Sequence, residues 1–135
     1  MSRHSPIHKM DIRVYYEDTD AGGIVYYANY LKFCERGRTE YLRSAGFENK
    51  PLMEREGFIF VVRRLDADYI APSFLDDMLR IETSPAEMKN ASFDMKQDIF
   101  RGQDKIFTLN VTLVCVGLNK RPVRVPDHLR KALGA

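Results

Sequence analysis

One stretch of the chain repeats its apolar residues with the period of an α-helix, between stretches that alternate like β-strands. Over residues 27–44 the apolar side chains recur every three or four positions, with charged residues largely between them. This spacing predicts an amphipathic helix of about five turns, about 27 Å long. Gly46 is well placed to end it. Gly37 lies inside it, at a cost of about 1 kcal/mol relative to alanine, so we expect a close packing contact there.

The strand-like stretches lie on both sides of this helix. Residues 7–16 alternate between apolar and polar side chains. Further strands are predicted over residues 57–70, 78–88 and 92–100. The clearest alternation gives the last strand one apolar face, formed by Phe107, Leu109, Val111, Leu113 and Cys115. Short turns such as residues 101–104 make neighbouring strands antiparallel, because parallel strands need a crossover of about a dozen residues.

One long helix with four or five antiparallel strands is an α+β pattern. Both are buried most simply if the sheet curls around the helix. Five strands spaced about 4.8 Å apart make a sheet about 20 Å wide, which is comparable with the length of the helix. Such a sheet leaves two open edges, so we expect edge-to-edge dimerisation.

Composition narrows the class of protein. A chain of 135 residues with 44% hydrophobic composition has room for one domain with a core. The formal charge of +2, from 21 basic and 19 acidic residues, gives no reason to expect nucleic acid as a partner. No apolar run approaches the ~18 residues of a membrane span, so we expect a soluble cytoplasmic protein. Cys34 and Cys115 are far apart and outside any zinc spacing, which predicts two free buried thiols.

The densest group of reactive residues is the segment VYYEDTDAGGIVYYANY, residues 14–30. A calcium loop would need an acidic or amide ligand where Gly22 stands and a glutamate where Asn29 stands, so calcium is excluded. A phosphoryl-transfer site built on an Asp-x-Asp pair would need a parallel sheet, against the hairpin pattern. An aspartate in this position often caps a turn or a helix, and Asp18 is the better candidate for that role.

Asp20 is the candidate reactive carboxylate. The glycine turn that follows should bring it beside the N-terminus of the helix, where free N–H groups can polarise a carbonyl oxygen. A carboxylate and an oxyanion site together suit acyl transfer. The helix dipole favours ionised Asp20 and desolvation by neighbouring tyrosines opposes it, and the sequence leaves that balance open. We expect most of these tyrosines to form a dry wall: Tyr15, Tyr16, Tyr26 and Tyr27.

Histidine chemistry is largely excluded by position. No histidine lies between residues 9 and 127, so a Ser-His-Asp or Cys-His site in the core would have to borrow one from a terminus. His4 and His8 are expected on a frayed surface segment with at most adventitious metal binding, and neither a metal site nor a cofactor is predicted. Glu35 is a rival catalytic carboxylate on the charged face of the helix.

The C-terminal region is basic. Its cationic residues are Lys120, Arg121, Arg124, Arg130 and Lys131, against Asp127. An exposed tail is the simplest interpretation. The alternative is a docking surface for phosphates, an acidic carrier protein or anionic lipid.

Three stretches together carry a family resemblance. They are YYEDTDAGGIVYYANYLKFCERGRTEYL, FVVRRLDADYIAPSFLDDMLRIET and VTLVCVGLNKRPVRVP, which cover nearly the whole chain. They resemble hotdog-fold acyl-CoA thioesterases of the 4-hydroxybenzoyl-CoA thioesterase family, closest to the Tol-Pal-associated acyl-CoA thioesterase branch. The resemblance implies a single hotdog thioesterase domain over residues 1–135, in which an antiparallel sheet of about five strands wraps around one long central helix.

The resemblance also implies roles for particular residues. Asp20 corresponds to the catalytic aspartate, the backbone N–H of Tyr27 polarises the thioester carbonyl, and Tyr16 belongs to the catalytic site. Gly23, Val25 and Lys89 are implied as substrate-binding residues, with Lys89 toward the CoA phosphates. Position 27 carries histidine in many members of the Tol-Pal branch and tyrosine here, which preserves the backbone donor but not an imidazole.

The implied function is hydrolysis of an acyl-CoA, or a related acyl thioester, to the free acid and the thiol. Asp20 would act as nucleophile or as general base. The alternative is a non-catalytic hotdog protein that binds acyl thioesters or lipid, or scaffolds a complex at the cell envelope. A hotdog dehydratase is disfavoured by the missing histidine. Acyl-chain length, aromatic or aliphatic preference, CoA or acyl carrier protein, homodimer or homotetramer, and peripheral envelope association stay open.

Overall fold

Five strands and one long helix make up most of the computed structural model, which describes residues 7–134. The strands are β1 (His8–Arg13), β2 (Phe58–Tyr69), β3 (Met78–Met88), β4 (Ser92–Arg101) and β5 (Asp104–Gly117). The long helix is α1 (Asn29–Ser44), and a short helix α2 (Asp127–Ala132) lies near the C-terminus. Minor helical turns are Tyr16–Asp18, Asn49–Pro51 and Leu52–Glu56. No helix within this range is long and apolar enough to cross a membrane.

The strands form one antiparallel sheet in the order β1-β3-β4-β5-β2. This confirms the predicted α+β class and the antiparallel pairing. The edges are β1 and β2. The position of β2 beside β5 could not be predicted from local pattern, because sequence-adjacent strands β2 and β3 do not pair.

The apolar face of the sheet packs against α1. The predicted inner face of β5 is confirmed, with fully or almost fully buried Phe107, Leu109, Val111, Leu113 and Cys115. From α1 the core receives Tyr30, Phe33, Cys34, Tyr41 and Leu42. The helix begins two residues later than predicted, because residues 26–28 form a turn whose carbonyls accept the first N–H groups of α1. Gly46, with φ of +96°, ends it as predicted.

Gly37 lets α1 approach the sheet closely, as predicted. A Cβ atom there would lie 2.8 Å from the Ile81 side chain and 3.1 Å from the Gln97 amide nitrogen. Gln97 is completely buried, donates to the Cys34 carbonyl at 2.7 Å and accepts from Arg38 at 3.0 Å. Because each of these polar atoms is paired, the amide joins the helix to the sheet without an unsatisfied group.

Both cysteines are free and buried, which confirms that part of the prediction. Burial raises the pKa of the Cys34 thiol to about 12 and that of Cys115 to about 11. Thiols held this far from ionisation are poor nucleophiles. The two residues therefore serve as small core side chains.

Three local predictions are wrong. The chain leaves β1 at Arg13, so Tyr16 lies on a 3₁₀ turn and is 81% exposed instead of facing the core. His8 is paired with Thr83 in the sheet and is not frayed, while His4 lies outside the described residues. The C-terminal region is not an exposed tail, because Val125 and Leu129 are completely buried and anchor it to the core.

Candidate active site

A small hairpin joins β1 to α1 and carries Asp20 at its tip. Thr19 and Val25 form an antiparallel bridge. The Tyr26 N–H donates to the Asp18 carbonyl at 2.9 Å, and the Asp20 N–H donates to the Ile24 carbonyl at 2.9 Å. The reversal passes through Gly23, whose φ of +79° favours glycine. The chain therefore doubles back and leads from Asp20 directly to the start of α1.

Asp18 braces the turn that precedes this hairpin. Its Oδ2 atom accepts from the Tyr15 N–H at 2.8 Å and closes the 3₁₀ turn. Its carbonyl accepts from the Asn29 side-chain amide at 2.9 Å, which ties the turn to the first residue of α1. This agrees with the interpretation of Asp18 as a capping residue.

The Asp20 carboxylate is exposed, and one of its two oxygens accepts a hydrogen bond from the described residues. One oxygen, Oδ1, accepts from the Gly22 N–H at 2.8 Å, which fixes the carboxylate within the turn. Oδ2 accepts no hydrogen bond from the residues that the structure describes. The turn therefore orients the carboxylate and leaves one oxygen available to a reacting group.

The N-terminus of α1 presents free backbone donors. The N–H groups of Asn29, Tyr30 and Leu31 bond to the carbonyls of residues 26–28. Those of Tyr27 and Ala28 have no acceptor within residues 7–134. The first turn of α1 holds no acidic residue that would neutralise its positive end. An oxygen that gains negative charge in front of Tyr27 would therefore be stabilised.

The predicted dry wall of tyrosines is wrong for the single chain. Tyr15, Tyr26 and Tyr27 are 61%, 46% and 61% exposed. They lie on the turns outside the sheet, where Tyr27 meets the edge of the Tyr69 ring of β2 with ring centroids 6.1 Å apart. The rings of Tyr26 and Tyr27 lie 4.8 Å apart, and the neighbouring Tyr27 phenol raises the pKa of Tyr26.

Two residues that were not singled out from the sequence anchor the site. The Tyr30 hydroxyl pairs with the Ser73 hydroxyl at 2.7 Å, and both side chains are buried. The Ser73 carbonyl accepts from the Val25 N–H at 2.9 Å. Because Ser73 follows β2 at a long sequence separation, no local signal could have found this contact. Tyr30 was visible only as part of the apolar stripe of α1.

The other motif residues differ in their access to a substrate. Val25 is 4% exposed and its N–H is engaged by Ser73, so it positions the hairpin from the core. Gly23 is exposed, and no atom within 4 Å would meet a side chain there. A substrate can therefore approach the backbone at Gly23 closely.

The sequence matches the thioesterase-like superfamily over residues 14–133. The chain belongs to this superfamily. It is 44% identical to the acyl-CoA thioesterase YbgC of Haemophilus influenzae over 90% of each chain. A probable thioesterase from Bartonella henselae superposes with a TM-score of 0.86 at 38% identity, covering 90% of this chain and all of that one. These matches confirm the thioesterase class predicted from the sequence.

The fold is also that of a 4-hydroxybenzoyl-CoA thioesterase solved with 4-hydroxybenzoyl-CoA. The TM-score is 0.85 at 22% identity, over 95% of this chain and 99% of that one. At this identity the likeness concerns the fold alone. It confirms the hotdog arrangement expected for this thioesterase-superfamily chain.

Within a single chain, the structure does not place Lys89 near Asp20. The hairpin of Asp20 is bridged to Phe74, just before β3 begins, whereas Lys89 follows the end of β3. Since β3 has 11 residues, the two sites lie about 30 Å apart along the sheet. Lys89 instead lines a surface groove of about 390 Å³, and its ammonium lies 3.9 Å from the Asp94 carboxylate.

That groove has a mixed electrostatic character. Two cations and three carboxylates line it: Arg64, Lys89, Asp66, Glu87 and Asp94. A phosphate would therefore be attracted only at its cationic positions. Of these, Lys89 is the one that the family resemblance implies.

Glu35, the rival carboxylate, belongs to a different pocket of about 250 Å³ between α1 and β2. It lies six residues beyond Asn29, or about 9 Å along the helix axis from the N-terminus of α1. Arg38 lines the same pocket, and burial lowers its pKa. Glu35 therefore does not share the free backbone donors that adjoin the hairpin of Asp20.

Proposed function

We propose that this protein hydrolyses an acyl-CoA, or a related acyl thioester, to the free acid and the thiol. The observation that supports this most strongly is that two groups lie on the hairpin and at the start of the helix that follows it. These are the exposed Asp20 carboxylate with a free oxygen and the unpaired Tyr27 N–H at the positive end of α1. Relatives named acyl-CoA thioesterases match this chain over most of its length.

In the proposed reaction, the thioester carbonyl oxygen accepts a hydrogen bond from the Tyr27 N–H. Asp20 Oδ2 attacks the carbonyl carbon, the C–S bond breaks, and the thiolate leaves and takes a proton from water. Water then cleaves the resulting anhydride and regenerates the carboxylate. Alternatively, Asp20 removes a proton from a water molecule that attacks the carbonyl directly. In both routes the free N–H and the helix dipole stabilise the oxyanion.

Tyr16 is proposed as a further contact of the reacting group. Its side chain is 81% exposed and lies on the 3₁₀ turn that Asp18 closes, immediately before the hairpin of Asp20. The phenol is therefore accessible to a substrate placed on the hairpin. Gly23 is proposed to allow close approach of that substrate, and Val25 to support the hairpin from the core.

Removal of the Tyr27 N–H should slow the reaction without removing the carboxylate. We expect Tyr27→Pro to lower kcat about 100-fold, because one oxyanion donor is lost. Tyr27→Phe keeps the backbone donor and should stay within about threefold of wild type in kcat. Steady-state rates of both variants, with circular dichroism to check folding, make the comparison. Equal losses in the two variants would assign the effect to the phenol and contradict the backbone role.

The reaction itself is tested by release of free thiol from acyl-CoA substrates. A colorimetric thiol reagent and a panel from short to long acyl chains, with aromatic CoA thioesters, should show turnover with at least one member. Acyl carrier protein thioesters of the same chains identify the preferred carrier. Binding of these substrates without thiol release would favour the non-catalytic alternative.

A second copy of the chain is proposed to complete the site. Strand β2 is a long edge strand, and its exposed apolar side chains need cover: Ile59, Val61, Val62, Leu65 and Tyr69. Tyr69 also contacts Tyr27, with ring centroids 6.1 Å apart, so this edge adjoins the proposed site. Pairing of two β2 edges would cover the tyrosines, and Lys89 of another copy could reach a substrate at Asp20.

Charges on the β2 edge should separate the copies. We expect the double variant Val61→Lys and Leu65→Lys to elute as a monomer, because lysines on an edge strand oppose pairing. Leu118→Lys changes another exposed leucine, outside the edge, and should leave the dimer intact. Light scattering coupled to size-exclusion chromatography gives the mass. An unchanged mass for the double variant would rule out assembly through β2.

A further inference from the structure

Strand β2 carries two opposite charges on its outer face that lack an ion-pair partner. Arg64 and Asp66 are exposed and line the same groove on that face. Neither forms an ion pair within residues 7–134. Strand β5 sets neutral residues opposite them, with Thr112 opposite Arg64 and Asn110 opposite Asp66. The open edge of β2 is therefore where complementary charges can meet them.

A bulge at Arg63 changes which residues of β2 face the core. The pairing with β5 skips Arg63, which is therefore an extra residue in the strand. Before the bulge, Phe60 packs against the ring of Phe93, with ring centroids 5.5 Å apart. After it, Tyr69 packs against the ring of Phe107, with ring centroids 4.9 Å apart. The core face therefore carries even-numbered residues before the bulge and odd-numbered residues after it.

Pairing of two β2 edges about a symmetry axis allows few registers. Side chains directly opposite each other in an antiparallel pair point to the same face, so the axis passes through one residue that meets its own copy. An axis at Leu65 sets Arg64 of each copy opposite Asp66 of the other. An axis at Arg64 or at Asp66 sets like charges directly opposite each other, which is destabilising. An axis nearer either end of β2 shortens the pairing and leaves Arg64 without an acidic neighbour.

We propose that two copies of this chain pair through β2 in the register centred on Leu65, with Arg64 of each copy opposite Asp66 of the other. The inference rests on the proposed completion of the site by a second copy. It goes further by defining the register and the two residues that select it. Because the two ion pairs are related by symmetry, one exposed Arg-Leu-Asp segment makes the edge complementary to itself.

The same register brings an aromatic residue of the second copy to the proposed site. Counted across the bulge, Phe60 of one copy lies opposite Tyr69 of the other, and both side chains are on the core face. Tyr69 contacts Tyr27, with ring centroids 6.1 Å apart, and Phe60 lines the pocket between α1 and β2. The pocket of one copy therefore adjoins the Tyr27 N–H of the other.

Charge reversal tests the pairing of Arg64 with Asp66. We expect Arg64→Asp and Asp66→Arg each to raise the dimer Kd about thirtyfold, because two attractive pairs become repulsive. The double variant, which exchanges the two charges, should return to within about threefold of wild type. Lys96→Asp makes the same change of charge on the internal strand β4 and should leave Kd within about threefold. Sedimentation of fluorescently labelled protein at nanomolar concentration measures Kd, and circular dichroism checks folding.

Cross-linking tests the register directly. Leu65→Cys sets a thiol opposite its own copy, at the spacing that a disulfide needs, so mild oxidation should convert most of the protein to a covalent dimer. Asp66→Cys should cross-link far less, because residue 66 meets residue 64 of the other copy. Both native cysteines are buried, which keeps them out of this reaction. Stronger cross-linking through Asp66→Cys, or a double charge variant as weak as the single ones, would overturn the inference.

These measurements do not depend on catalysis. Absence of thiol release would contradict the proposed chemistry and leave the register intact, whereas a monomeric wild type would overturn the register. The specific activity of the single charge variants should fall with their fraction of dimer and recover in the double variant. Equal activity of monomer and dimer would contradict the placement of Phe60 at the site of the other copy.

Discussion

Replacing Asp20 by alanine should abolish thioester hydrolysis, with a loss in kcat of about a thousandfold or more, while the fold is retained. Its carboxylate is exposed, and its hydrogen bond is a local one to the Gly22 N–H. The variant therefore removes the reacting group without leaving a buried cavity or an unpaired buried charge. Thiol release with the best substrate of the acyl-CoA panel, and the thermal midpoint of both proteins, give the two measurements.

Glu17→Gln is the matched control for this experiment. Glu17 is an exposed carboxylate three residues from Asp20, on the 3₁₀ turn. Because it is outside the hairpin, we expect activity within about twofold of wild type and a change in stability below about 0.5 kcal/mol. Substantial turnover by Asp20→Ala, or an equal loss in the control, would contradict the assignment of Asp20.

The Gly37→Leu variant should lose about 3 kcal/mol of the free energy of unfolding. A single Cβ atom at this position already lies 2.8 Å from the Ile81 side chain, and a leucine must also displace Gln97. Movement of α1 away from the sheet would break the buried bonds of Gln97 to the Cys34 carbonyl and to Arg38. Urea denaturation followed by circular dichroism measures the loss.

Arg36→Leu places the same side chain on the neighbouring, exposed position of α1. It should change stability by less than about 0.5 kcal/mol, because nothing packs there. Gly37→Ala gives an intermediate case, in which better helix propensity partly offsets the contact with Ile81. A Gly37→Leu protein as stable as Arg36→Leu would show that the helix can move off the sheet at little cost.

Much of the fold could be predicted because its periodicity is strong. The alternation of Phe107, Leu109 and Val111 gives the buried face of β5, and the stripe of Tyr30, Cys34 and Tyr41 gives the inner face of α1. The close approach at Gly37 was also predictable, since a glycine inside a helix has a cost that some contact must offset. The partner strand of β2 was not predictable, because strand order depends on the whole sheet.

The candidate site was predictable in its chemistry and less so in its surroundings. Asp18 could be assigned to capping because aspartate before a helical pattern commonly has that role. The exposure of Tyr16 was missed because the alternation was extended past the real end of β1 at Arg13. That of Tyr27 was missed because the helical stripe was extended before the real start of α1 at Asn29. Ser73 was missed because its bond to Tyr30 joins residues 43 positions apart.

The sequence by itself determined the α+β class, the inner faces of β5 and α1, and Asp20 as the candidate reactive carboxylate. These properties follow from residue type and short-range spacing, which act through local geometry. Only the tertiary structure decided that β2 lies at an open edge, that Lys89 and the hairpin of Asp20 lie at opposite ends of β3, and that Arg130 donates to the Lys89 carbonyl. Those relations arise from contacts between distant residues, and no local pattern encodes which distant backbone a side chain will meet.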